Sequence, residues 1–171
     1  MKMTILGIDP GSRVTGFGVI ETDGERMIHV RHGVIVVDEK ASFGLRLSQL
    51  AEGMREILQA HCPQQVVLEK IFLGKNADSA FKLGHARGVL MSEAASAGAS
   101  LVEYATRQVK KGVTGSGAAS KEDVQAVVQN LLALSQIQRL DASDALALAC
   151  YHVFEVRRER LLRRSAESWG L

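Results

Sequence analysis

The sequence predicts an α/β domain built on a five-stranded mixed sheet, three antiparallel strands plus two parallel ones, flanked by helices. Three observations predict it. The chain opens with short runs of β-branched residues separated by tight turns, the pattern of an antiparallel meander. From Ser42 onward, apolar spacing of three and four alternates with short unbroken apolar runs, which places helices on the faces of a sheet. A length of 171 residues and a hydrophobic fraction of 46% suit one domain.

Taken in order, Ile5-Leu6-Gly7-Ile8-Asp9 reads as a buried strand, Pro10-Gly11-Ser12 as a tight turn, and Val14–Ile20 as the returning strand. Arg26–Val37 supplies a third strand, with a bend expected at Gly33. Leu47, Leu50, Ala51, Met54, Ile57 and Leu58 recur at helical spacing after Ser42, and Pro63 ends that helix. Val66-Val67-Leu68 has no polar alternation, so it predicts a strand buried on both faces, with Glu69 at its end. Asn76 is placed to cap a long helix reaching about Ala97. That helix is crowded with small residues, among them Ala80, Gly84 and Gly88, which serve equally a helix close to its own sheet and one packed on a second copy. Ser100–Tyr104 is the fifth strand. Ala105–Lys121 holds no acid but has Arg107, Lys110, Lys111 and Lys121 with Gly112, Gly115 and Gly117, and reads as a flexible basic stretch. Ser120 then caps a helix whose first turn is acidic, and Asp141 opens the last helix, running through Val153. The Arg-rich tail from Arg157 is expected to fray.

The chemistry concentrates on carboxylates. Asp9 and Glu69 each end an apolar strand, and parallel pairing of those strands would bring both to one sheet edge. Asp141 and Asp144 are three apart at a helix start and share a face. Four such charges need counter-charge, and hard divalent cations such as Mg²⁺ suit oxygen ligands. Each acid also has a plain structural use: Asp9 as a turn residue, Glu69 as a surface acid, Asp141 as a helix cap, Asp144 as a partner of the helix dipole.

Gly7-Ile8-Asp9-Pro10-Gly11-Ser12-Arg13-Val14-Thr15-Gly16, Glu69, Lys75-Asn76-Ala77-Asp78-Ser79-Ala80, Ala86-Arg87-Gly88-Val89, Arg107-Gln108-Val109-Lys110 and Asp141-Ala142-Ser143-Asp144-Ala145-Leu146-Ala147 together resemble the RuvC family of bacterial Holliday-junction resolvases, from about Ile5 to about Ala149. The resemblance implies an RNase H-like nuclease domain, taken as 1–155, with 156–171 as a basic C-terminal tail. It implies a crossover junction endodeoxyribonuclease, a homodimer that nicks two opposing strands of a four-way DNA junction symmetrically and leaves ligatable 5′-phosphate and 3′-hydroxyl ends. Two Mg²⁺ ions per site are implied, with Mn²⁺ as a substitute, held by the catalytic acids Asp9, Glu69, Asp141 and Asp144. A RuvA–RuvB branch-migration complex is the implied partner. Phe72 falls where the family has an aromatic that wedges into the junction, although burial in the core is the ordinary use of a Phe. Lys75, Lys82, Arg87, Arg107, Lys110, Lys111 and Lys121 are expected to contact DNA; Lys110 and Lys121 fall where the family needs lysines.

The formal net charge is only +2, so a nucleic-acid face must come from local clustering. Cys62 and Cys150 lie far apart and read as buried thiols of a reducing compartment. With no long apolar span and no signal-peptide pattern, a cytoplasmic location is expected. The competing readings are a sugar-kinase or actin-like phosphotransferase, a non-catalytic junction-binding module, and a resolvase of another RNase H-like branch. The first needs a second related domain that one short domain cannot supply.

Overall fold

A computed structural model describes residues 2–70 and 77–168. Three strands form the meander: β1 (Met3–Asp9), β2 (Val14–Thr22) and β3 (Met27–Val36). Then follow α1 (Phe43–His61), β4 (Gln65–Lys70), α2 (Ala77–Ser96), β5 (Ser100–Ala105), α3 (Thr106–Thr114), α4 (Lys121–Leu131) and α5 (Leu140–Ser168). The sheet order is β3-β2-β1-β4-β5. β1 and β2 pair antiparallel, as do β2 and β3, while β4 runs parallel to both β1 and β5. This is the mixed five-stranded sheet that the sequence predicts.

Strand alternation divides the core into two layers. Ile5, Ile20 and Val67 face α5, α3 and α4, whereas Leu6, Ile8, Val19, Val66 and Leu68 face α1 and α2. β4 lies between β1 and β5, so Val66, Val67 and Leu68 are all fully buried, as their unbroken apolar run requires.

Three glycines set how closely α5 lies on the sheet. A Cβ at Gly7 would stand 1.9 Å from the Ala145 carbonyl oxygen, and one at Gly16 would stand 2.0 Å from that of Asp141. A Cβ at Gly18 would meet the Leu146 side chain at 2.6 Å. The glycines of β1 and β2 therefore let the first turns of α5 rest on the backbone of those strands.

Several details differ from expectation. The basic stretch after β5 is not a flexible loop: it carries α3, anchored by buried Val109. Its glycines serve packing and capping. Gly112 makes room for the Tyr151 ring, and Gly115 closes the helix with φ of 83°. The irregularity in the third strand falls between His29 and Arg31, opposite Ile20 and Val19, and not at Gly33. Gly33 instead accommodates the Phe17 ring. α5 continues through Ser168, and Arg157 Nε donates to the Gly24 carbonyl at 2.6 Å; the end of the tail, where fraying is expected, lies outside the described residues. Cys150 is buried, but Cys62, the left-handed cap of α1 with φ of 42°, is exposed. The expected cap Asn76 lies outside the described residues.

Candidate active site

The register of the sheet brings two acids together. Ile8 pairs with Leu68 in the parallel β1–β4 ladder, so Asp9 and Glu69 follow side by side at the same edge. Both share the face of Gly7 and Val67, the face covered by α5. The close seating of α5 carries Asp144, one turn into the helix, to that edge. Asp9, Glu69 and Asp144 line one cavity of about 190 Å³, with Thr106, Lys110 and Lys121 among its other walls. Asp141 is not on that wall. It sits one turn earlier, within electrostatic reach of Asp9, and its Oδ2 accepts from Arg139 at 3.4 Å.

The turn after Asp9 is held on both sides. The Gly11 N–H donates to Thr15 Oγ1 at 3.2 Å, and that hydroxyl donates back to the Gly11 carbonyl at 3.0 Å. Arg46 donates to the Ser12 carbonyl. Glu69 is fixed twice: Thr106 Oγ1 donates to its Oε1, and Arg87 donates to its backbone carbonyl at 2.6 Å. Asp144 Oδ2 accepts from Lys121 Nζ at 2.5 Å. Lys121 is the first residue of α4, where the Ser120–Asp123 capping box fixes the backbone beneath it.

The electrostatics follow from this crowding. Burial, then Glu69, Asp144 and Asp141, push the Asp9 carboxyl up from 3.8 to about 8, with Lys121 opposing. The hydrogen bond to Asp144, and the charges of Asp144, Asp9 and Asp141, raise the Lys121 ammonium against the opposing effect of burial. The cluster is thus short of positive charge, and its donors are all carboxylate oxygens. That is the chemistry a hard divalent cation satisfies. Among the described residues, no three Asp, Glu, His or Cys side chains converge as a ready ligand set. The positive charge bonded to the cavity wall is the Lys121 ammonium, on Asp144, while Arg139 pairs with Asp141 at the rim.

The other expected DNA contacts divide. Arg107 and Lys111 are exposed on α3 and do not line the cavity, although their sequence neighbours Thr106 and Lys110 do. Lys110 lines the cavity while Nζ donates to the Ala119 carbonyl at 2.8 Å. Lys82 pairs with Asp78 on α2 at 2.6 Å. Arg87 is turned inward: 12% exposed, it pairs with Glu103 of β5 and ties the ends of β4 and β5 to α2. Phe72 and Lys75 lie outside the described residues. Thr106 and Arg139 escape a sequence reading, since a hydroxyl after a strand and an Arg before a helix are unremarkable until the fold sets them beside acids.

The family model described as crossover junction endodeoxyribonuclease RuvC matches residues 5–152. A crossover junction endodeoxyribonuclease RuvC of Bdellovibrio bacteriovorus is 58% identical, over 96% of this chain and 98% of that protein. One of Geobacter metallireducens is 45% identical, over 94% and 98%. Among solved structures, T. thermophilus RuvC in complex with a Holliday junction substrate superposes with a TM-score of 0.86 at 30% identity, covering 92% of this chain and 96% of that one. The yeast mitochondrial Holliday junction resolvase Ydc2 superposes at 0.71 with 9% identity, covering 96% and 85%, a likeness of fold.

Proposed function

The chain belongs to the RuvC family of crossover junction endodeoxyribonucleases, and from that premise we propose how its residues carry out the reaction. The enzyme is a structure-specific endonuclease that resolves Holliday junctions in DNA recombination and repair. It is a metal-dependent phosphodiester hydrolase. The observation that most supports this reading is the cavity shared by Asp9, Glu69 and Asp144.

Asp9, Glu69, Asp144 and Asp141 are the residues that would hold the ions, two Mg²⁺ or Mn²⁺ per site. Bound there, divalent cations supply Lewis acidity for hydrolysis of the phosphodiester, aiding both the attacking water and the leaving oxygen. The chain's own contribution is placement. Asp9 stands at the centre of the cluster on a strand end that its turn holds rigid. Thr106 orients the Glu69 carboxylate through Oε1. Arg139 keeps Asp141 at the rim. Arg107, Lys110, Lys111, Lys121 and Lys82 would contact backbone phosphates, which makes binding strongly salt-dependent. Phe72 would stack on an unpaired base at the crossover.

Paired nicks require two sites, and a C2 homodimer supplies them at fixed separation. An open apolar groove of about 760 Å³ along α2 favours that helix as the contact; Phe81 within it is 70% exposed. A RuvA–RuvB complex as partner and a cytoplasmic location complete the proposal. No described helix is long and apolar enough to cross a membrane.

The test is incubation of the protein with a synthetic four-way junction and with linear duplex, in Mg²⁺ and in chelator. Symmetric nicks in the junction alone, and only with metal, are expected. Cutting of linear duplex at the same rate, or cutting in chelator, would contradict the proposal.

A further inference from the structure

We propose that the Lys121 ammonium is the resident counter-ion of the acidic cluster, and that a divalent cation must displace it from Asp144 in order to bind. The inference rests on the reading of Asp9, Glu69, Asp141 and Asp144 as the ion-holding set and deepens it.

The geometry is an ion pair with a way out. Nζ lies 2.5 Å from Asp144 Oδ2, where it takes up a lone-pair direction that a cation would need. The Lys121 side chain is 50% exposed, so the ammonium can swing into solvent. Its backbone is the first residue of α4, held by the capping box, so the swing moves no helix. Asp144 is the less exposed partner, at 21%, and stays with α5 on the sheet. The lysine and the cation thus compete for one carboxylate, and the carboxylate does not move.

Two consequences follow from charge alone. While the cation is absent, Lys121 relieves repulsion among the acids and stabilises the fold. When the cation arrives, the ammonium is both a competitor for Asp144 and a like charge close by, so it weakens ion binding. Released, it remains tethered at the cavity rim, where a backbone phosphate is its next anion. Exchange of lysine for metal would thereby couple ion binding to DNA binding.

The experiment measures Mn²⁺ binding to the full-length protein without DNA, by loss of the free-ion electron paramagnetic resonance signal. Wild type is compared with Lys121→Met, Lys121→Gln, Asp9→Asn and Asp144→Asn. Both Lys121 variants are expected to bind Mn²⁺ about fivefold tighter or more, the ratio set by removal of a partly exposed ion pair. They should also melt at lower temperature than wild type in chelator and gain more from Mn²⁺, a readout that confirms they are folded. Unchanged or weaker Mn²⁺ binding in both Lys121 variants, with binding lost in Asp9→Asn and Asp144→Asn, would overturn the counter-ion role and leave the metal site standing. Wild-type Mn²⁺ binding that survives in Asp9→Asn and Asp144→Asn would overturn the metal site itself, and the counter-ion role with it.

Discussion

Asp9 makes the metal-free protein sensitive to pH in an unusual direction. Its carboxyl is pushed up from 3.8 to about 8 in the folded chain by burial and by its acidic neighbours. The unfolded chain keeps the ordinary value. Between those values the unfolded chain has released a proton that the folded chain retains, so stability falls as pH rises. Each pH unit in that interval removes roughly 1 kcal/mol or a little more, so the loss between pH 5 and 7 is on the order of 3 kcal/mol. For a domain of this size that is about 5–10 °C in Tm. Burial pushes His29, His32 and His152 below the usual histidine value, which works in the opposite sense. Those groups are common to wild type and Asp9→Asn, so the difference between the two isolates Asp9. Urea unfolding in chelator at pH 5, 6 and 7 should show Asp9→Asn gaining on wild type as pH rises. Saturating Mg²⁺ should erase that trend in wild type. A difference that stays flat across this range would refute the crowding from which the shift is derived.

Gly7→Ala should destabilise by about 1–3 kcal/mol or more and abolish cleavage, because its Cβ would lie 1.9 Å from the Ala145 carbonyl and drive α5 off the sheet; urea unfolding and junction nicking measure the two effects. Thr106→Val should weaken Mn²⁺ binding by about 10–100-fold while changing junction affinity less than about threefold, since it frees the Glu69 carboxylate and touches no phosphate. Arg87→Met should cost about 1–3 kcal/mol by leaving Glu103 and the Glu69 carbonyl without their partner, as thermal unfolding would register. Phe81→Glu should yield a monomer in sedimentation, placing charge in the apolar groove of α2.

Much of the site was legible because its acids interrupt strong patterns. Asp9 and Glu69 end apolar runs, and parallel pairing of two such runs puts both at one edge without further information. The helix opening at Asp141 was equally plain. What the pattern could not convey was distance: Asp144 reaches the cavity wall, whereas Asp141, one turn earlier, is held by Arg139. α3 is hidden in the sequence because three glycines within and after it suggest a flexible loop. Gly112 is there for the Tyr151 ring and Gly115 for a left-handed cap, uses that appear only once a neighbour is known. A cation in sequence does not disclose its partner: Arg87 reads as a phosphate contact, and in the fold it pairs with Glu103, sixteen residues on. Cys62 reads as a core thiol in the sequence, yet at the C-cap of α1 it is exposed.

The proposed function needs three segments remote in sequence, the ends of β1 and β4 and the start of α5, to form one pocket for divalent cations. Its most direct test is a crystal of the protein soaked in Mn²⁺ and measured for anomalous scattering. A peak is expected within coordination distance of the Asp9 carboxylate, shared with Glu69 and Asp144, with Lys121 swung away from Asp144. A bound Mn²⁺ that leaves Asp9 uncoordinated, or an Asp9 carboxylate remote from Glu69 and Asp144, would contradict it.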